Sequence, residues 1–250
     1  MGLQNSQARP LKANRQPGWS MGLPIQRPEQ LDVVVGRRLY AGNVTSVRRF
    51  AVLEPAAVFA LIVAYIWELR RPYPILWLPI LGLMVVSHLA RRERAEALGF
   101  RRANLRECFR EFAPALAFLA LLLLAGGLLC GTLRPVGWDN ALASLALYLP
   151  WGLLQQYILN GYFFNRIGAL ASRRAAPLIA AGLFAGVHLP NWFLMGVTLV
   201  AGYGATRVYR RYRNLYFLGI AHAAVGILLF LVVPDSISHH LNVGPGWFRH

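Results

Sequence analysis

Three carboxamides stand in a stretch that otherwise has the composition of lipid-soluble chain, Leu153-Leu154-Gln155-Gln156-Tyr157-Ile158-Leu159-Asn160-Gly161-Tyr162. An unsatisfied polar group in hydrocarbon is so costly that each amide needs a partner or a task. Gln156 and Asn160 are four apart and share a helical face, and Gln155 lies ~100° round from Gln156. The three form a polar row facing a bundle interior. Two imidazoles accompany them, His188 in Phe184-Ala185-Gly186-Val187-His188-Leu189-Pro190-Asn191 and His222 in Gly219-Ile220-Ala221-His222-Ala223. An imidazole holds and releases a proton near neutral pH, whereas a carboxamide only donates and accepts hydrogen bonds. Histidines would therefore carry any acid–base step and the amides would orient water or a polar backbone. The plainer reading is interhelical glue, worth ~0.6 to 2 kcal/mol per hydrogen bond. No metal or other cofactor is expected. Amides are poor ligands, no His pair stands at i and i+4, and Cys108 and Cys130 fall in different compartments, which also argues against a disulfide.

The elements that would position these groups are apolar runs close to the ~20 residues a helix needs to cross a bilayer. Seven can be read: Phe50 to Trp67, Tyr73 to Ala90, Phe112 to Leu133, Ala141 to Phe164, Ala175 to Leu189, Trp192 to Thr206 and Leu215 to Val233. The fifth and sixth are short and meet at Pro190-Asn191, so a hairpin of tilted or broken helices is an alternative that leaves seven to eight spans open. The predicted fold is an all-α, polytopic transmembrane helix bundle. Counted from the cytoplasmic ends, Gln155 would lie ~14 Å deep, His188 ~20 Å and His222 ~10 Å, near enough for modest tilt to bring them to one cavity.

Charge sets the orientation. The net charge is +16 beside 56% hydrophobic residues, an odd pairing for a soluble domain and an ordinary one for a multi-pass membrane protein. With the amino terminus cytoplasmic, four regions collect nearly all the cations: the tail through Arg49, the loop from Arg91 to Arg110, the turn from Arg166 to Arg174 and the loop from Arg207 to Arg213. Only Arg70, Arg71, Arg134 and Arg249 are left for the other side. Arginines scattered between apolar spans exclude a nucleic-acid-binding module. Residues 1–49 read as a basic cytoplasmic tail that is disordered or lies on anionic headgroups, with Met21 an alternative start, followed by a transmembrane bundle over 50–233 and a short polar tail over 234–250. No cleavable signal peptide is expected. Arginine in place of lysine suggests a GC-rich bacterial genome and hence a bacterial cytoplasmic membrane.

An adjacent side-chain pair followed by Gly-Tyr in one helix, then Phe184-x-x-x-His188, then His222 in a later helix, resembles the CPBP family of intramembrane proteases. That family includes CAAX prenyl endopeptidases and bacteriocin-immunity relatives. The likeness covers about Ala141 to Val233. The family pattern is Glu-Glu-x-x-x-Arg, then Phe-x-x-x-His, then His-x-x-x-Asn or Asp. By this resemblance Gln155 and Gln156 hold the paired-glutamate positions, Asn160 the arginine position and Gly226 the position of the last amide or acid, while His188 and His222 match. The resemblance implies a water-activating base at the first glutamate and oxyanion stabilisation by the histidines and the third-motif amide. A carboxamide cannot deprotonate water, so that base is missing here. With both carboxylates neutralised, no anion remains for an arginine to pair.

Two functional readings are open. One is an endopeptidase acting on a membrane-anchored or lipidated peptide through a histidine-centred variant of the family chemistry. The other is a catalytically silent relative that binds such a peptide or a lipid as an immunity factor or scaffold. Solute transport is disfavoured, because the coupling charges are missing. Glu54, the carboxylate well inside a predicted span, is expected to snorkel to headgroups. Oligomeric state is not readable.

Overall fold

The computed structural model describes residues 44–248, nearly all of them in one compact unit, Ser46–His250. All regular structure among the described residues is helical. Seven helices of twelve residues or more succeed one another: α1 (Val44–Ala64), α2 (Trp77–Ala90), α3 (Leu105–Leu129), α4 (Trp138–Gln156), α5 (Ala175–Gly186), α6 (Trp192–Tyr212) and α7 (Leu215–Val232). They occur in the order of the seven apolar runs, with shifted ends. The helix α1 starts at Val44 rather than Phe50, and α6 continues to Tyr212, past Thr206. The remainder of the expected basic tail lies outside the described residues.

Among the described residues, three stretches are long and apolar enough to cross a membrane, Ala51–Leu69, Leu105–Leu129 and Leu215–Val232. The surface supports this assignment. Leu128 and Leu129 on α3, Leu147 on α4 and Val200 on α6 are exposed, whereas Gln156, Asn160, Arg166, Asn191 and Asn214 are buried. Water-soluble domains arrange these classes the other way round.

Local chemistry explains the breaks. Pro190 follows a cis bond from Leu189 between α5 and α6, and Asn191 restarts the chain by accepting a hydrogen bond from the Leu194 amide at 2.9 Å. Asn214 caps α7 in the same way through Phe217, also at 2.9 Å. The helix α4 does not stop at Gln156. It widens into a π-helix over Tyr157–Phe164 and returns to a short α turn, Asn165–Gly168. Such wide turns are rare and recur at functional sites.

The buried core centres on the π-helix residues Tyr157, Leu159, Tyr162 and Phe163, and the most extensive helix pairing is α4 against α7. A Cβ on Gly152 would stand 2.5 Å from the Gly219 carbonyl oxygen, and one on Gly219 would stand 2.9 Å from the Leu153 Cα. Only glycine at both positions allows this approach, the small-residue packing by which membrane helices replace a hydrophobic driving force.

Candidate functional site

The glycine crossing sets the site. One turn beyond Gly152 on α4 is Gln156, and one turn beyond Gly219 on α7 is His222. Gln156 Nε2 reaches His222 Nδ1 at 3.1 Å, and Asn160 Nδ2 donates to Gln156 Oε1 at 2.8 Å. The pairing of Gln156 with Asn160 survives the π winding, but the two do different work. Gln156 lines a cavity of about 1290 Å³ between the helices, together with Gln155, His188 and His222. Asn160 is fully buried behind Gln156, and its Oδ1 has no hydrogen-bond partner among the described residues. Four of the five expected residues thus share one cavity, and the fifth stands behind it.

His188 follows the end of α5. Its Nδ1 bonds the Phe184 carbonyl oxygen at 2.7 Å, and the Phe184 ring packs edgewise on both imidazoles, with centroids 5.1 Å from His188 and 6.2 Å from His222. The Phe-x-x-x-His spacing is therefore a one-turn device in which the carbonyl at i fixes the ring at i+4 and the phenyl holds it upright.

These contacts assign the tautomers. A carbonyl accepts only, so His188 carries its proton on Nδ1 and leaves a lone pair on Nε2. Gln156 uses its oxygen for Asn160 and offers an N–H to His222, so His222 Nδ1 accepts and its Nε2 bears the proton. One imidazole is a base and the other a donor.

The cavity wall is otherwise mainly apolar, with Trp151, Leu154, Phe163 and Phe217 among its residues, and no carboxylate lines it among the described residues. A Cβ on Gly226 would meet the Tyr148 ring at 3.4 Å. The tyrosine occupies the volume that a third-motif side chain would need. The segment after α7, which reads as a polar tail, folds back over this end: Leu241, Asn242 and Val243 line the cavity, and Asn191 Nδ2 donates to the carbonyls of Ser238 at 2.8 Å and Asn242 at 3.1 Å. No group of three or more His, Cys, Asp or Glu that could hold a metal ion gathers anywhere among the described residues.

The carboxylates are elsewhere. Glu54 does not snorkel to headgroups. It accepts from Arg166 Nε at 3.1 Å, from the Tyr162 hydroxyl at 3.1 Å, and from Ser87 and Arg91. Arg166, which reads as a loop cation, is 5% exposed. It grips Glu93 with Nη1 and Nη2, both at 2.9 Å, and reaches Ser87 Oγ at 2.9 Å. Burial alone would raise the Glu93 pKa, but hydrogen bonds from His88 and Arg166 and the nearby positive charge hold it down at about 2. This clamp fastens α1, α2 and the end of α4 together. The one signal for it in the sequence is Glu54 itself, an acid in a span that must find a cation.

A family model described as type II CAAX prenyl endopeptidase Rce1-like matches residues 137–228, a stretch that contains all five site residues and neither clamp glutamate. No curated protein and no solved structure matches the chain.

Proposed function

We propose, from the premise that the chain belongs through residues 137–228 to the Rce1-like family of type II CAAX prenyl endopeptidases, that it is a membrane-embedded endopeptidase for a lipidated, membrane-anchored peptide. In this reading the chain crosses a bacterial cytoplasmic membrane seven times with its amino terminus inside. The cavity is large enough for a lipid chain, and its apolar wall suits one.

The observation that carries the proposal is that the two imidazoles line one cavity with unlike partners on Nδ1, a carbonyl oxygen at His188 and an amide nitrogen at His222, which assigns them opposed protonation. His188 Nε2 takes a proton from water as the oxygen attacks the peptide carbonyl. His222 Nε2–H donates to the oxyanion as it forms, and the protonated His188 returns its proton to the departing amine nitrogen. Gln155 offers its amide to the peptide backbone, and Gln156 with Asn160 holds the His222 tautomer.

A second reading, peptide binding without cleavage, is favoured by one observation: no carboxylate among the described residues faces the cavity, and the nearby Glu54 and Glu93 are committed to Arg166. Cleavage of prenylated and transmembrane peptides by the detergent-purified protein separates the two. Loss of cleavage in both His188→Ala and His222→Ala is the expected result, with peptide affinity retained. A wild type that binds these peptides and never cuts them leaves the binding reading.

A further inference from the structure

A second pocket, of about 460 Å³, opens where the start of α5 meets the end of α6, and it is lined by Arg173, Arg174, Pro177, Leu178, Tyr203, Arg207 and Arg210. Four of these seven residues are arginines. The α6 contributors stand at i, i+4 and i+7, on one face, and the α5 contributors are the two residues before the helix and its first turn. Among the described residues none of the four guanidinium groups has a carboxylate partner. Arg207 Nη1 donates to the Tyr203 hydroxyl at 3.1 Å and stacks over the same ring at 5.8 Å, while Arg210 Nη1 donates to the Arg173 carbonyl oxygen at 3.0 Å. The neighbouring Arg211 differs, because Glu111 neutralises it at 2.7 Å.

Four cations converging without an anion repel one another, and the two internal hydrogen bonds hold the arrangement together instead of dispersing it into solvent. Guanidinium forks match the oxygens of a phosphate, and the amino end of α5 adds the favourable pole of a helix. Continuing along the pocket face of α6 away from the arginines, Val200 is 75% exposed, and on α5 Leu178 is 56% exposed. An anionic head and an apolar tail would therefore find matching surfaces side by side.

We propose that this pocket is a binding site for the phosphate group of an anionic membrane lipid, held by Arg173, Arg174, Arg207 and Arg210 with the acyl chains along Leu178 and Val200. The site is separate from the histidine cavity and owes nothing to cleavage. It rests on the proposed membrane placement alone.

Native mass spectrometry of the protein in neutral detergent micelles doped with phosphatidylglycerol or phosphatidylcholine tests it. The expected result is retained phosphatidylglycerol at least tenfold above phosphatidylcholine, lost in Arg207→Gln/Arg210→Gln and weakened in Arg174→Gln. Arg106→Gln/Arg110→Gln, which removes the same charge from exposed positions on α3, should keep it. Equal loss in the two double variants would reduce the effect to general charge and overturn the site. Tm is measured on every variant, and Arg174→Gln, whose side chain is exposed, decides the matter if the pocket double variant does not fold. Millimolar inorganic phosphate is the last arm: failure to displace the lipid supports a headgroup site, and full displacement overturns the lipid in favour of a free phosphate ligand.

Discussion

At Gln156 the difference between amide and acid is one of hydrogen-bonding sense. The amide accepts from Asn160 and donates to His222, and a carboxylate could only accept. Gln156→Glu should therefore draw the His222 proton onto Nδ1 and leave Nε2 bare. Nitrogen-15 spectra of histidine-labelled protein report this once the His188 and His222 signals are assigned among the six histidines by substitution, since the wild type should show these two imidazoles in opposite tautomers and the variant should show them alike. An unchanged spectrum would mean that the amide row does not govern His222. Asn160→Leu should leave the Gln156 oxygen unsatisfied and cost about 1 to 3 kcal/mol, read as a lowered Tm. The polar character of these five residues was legible, because amides and imidazoles stand out against an apolar run. Their division of labour was not. Whether a buried amide faces a cavity or another amide depends on how closely two helices approach, and hydropathy contains no such distance.

The elements were legible as apolar runs, and their order held. What the runs could not reveal is the contact that matters most, the Gly152–Gly219 crossing. Glycine in an apolar run reads as a neutral gap, and its role appears only when the partner backbone is 2.5 Å from its missing Cβ. Gly152→Ala should push α4 and α7 apart, break the bond between Gln156 and His222, and lower both Tm and peptide binding. Gly196→Ala on α6 meets nothing within 4 Å, lies outside the cavity lining and serves as the control. It should be neutral or stabilise by up to about 1 kcal/mol through helix propensity. Equal effects of the two substitutions would show that the crossing does not set the site.

Across the whole molecule, the Arg166 clamp ties α1 and α2, which lie outside the family match, to the helix that carries the amides. Arg166→Met leaves two carboxylates without their shared cation and should cost about 3 to 5 kcal/mol. Acid should act through the same joint. The Glu93 pKa is lowered from 4.5 to about 2, so its contribution is complete above pH ~4.5 and is lost as pH falls towards 2. Wild-type Tm should fall across that window, and Arg166→Met should show a flatter profile there. A parallel acid profile in the two proteins would assign the loss to other groups. Arg166 reads as a loop residue because charge in one dimension reads as exposure, and the acids that neutralise it are far away along the chain.

The π-helix between Gln156 and Arg166 acts as a phase shifter. Each of its eight residues turns less than the ~100° of an α-helix, so a lag builds up between Gln156 and Arg166, and one strand of helix presents its amide to α7 and its cation to α1 and α2. The two ends are geared through that lag. Deleting Leu159 within it would leave every side chain of the site and of the clamp in the sequence, yet it would turn the amide end of the helix against the clamp end and unseat one of the two.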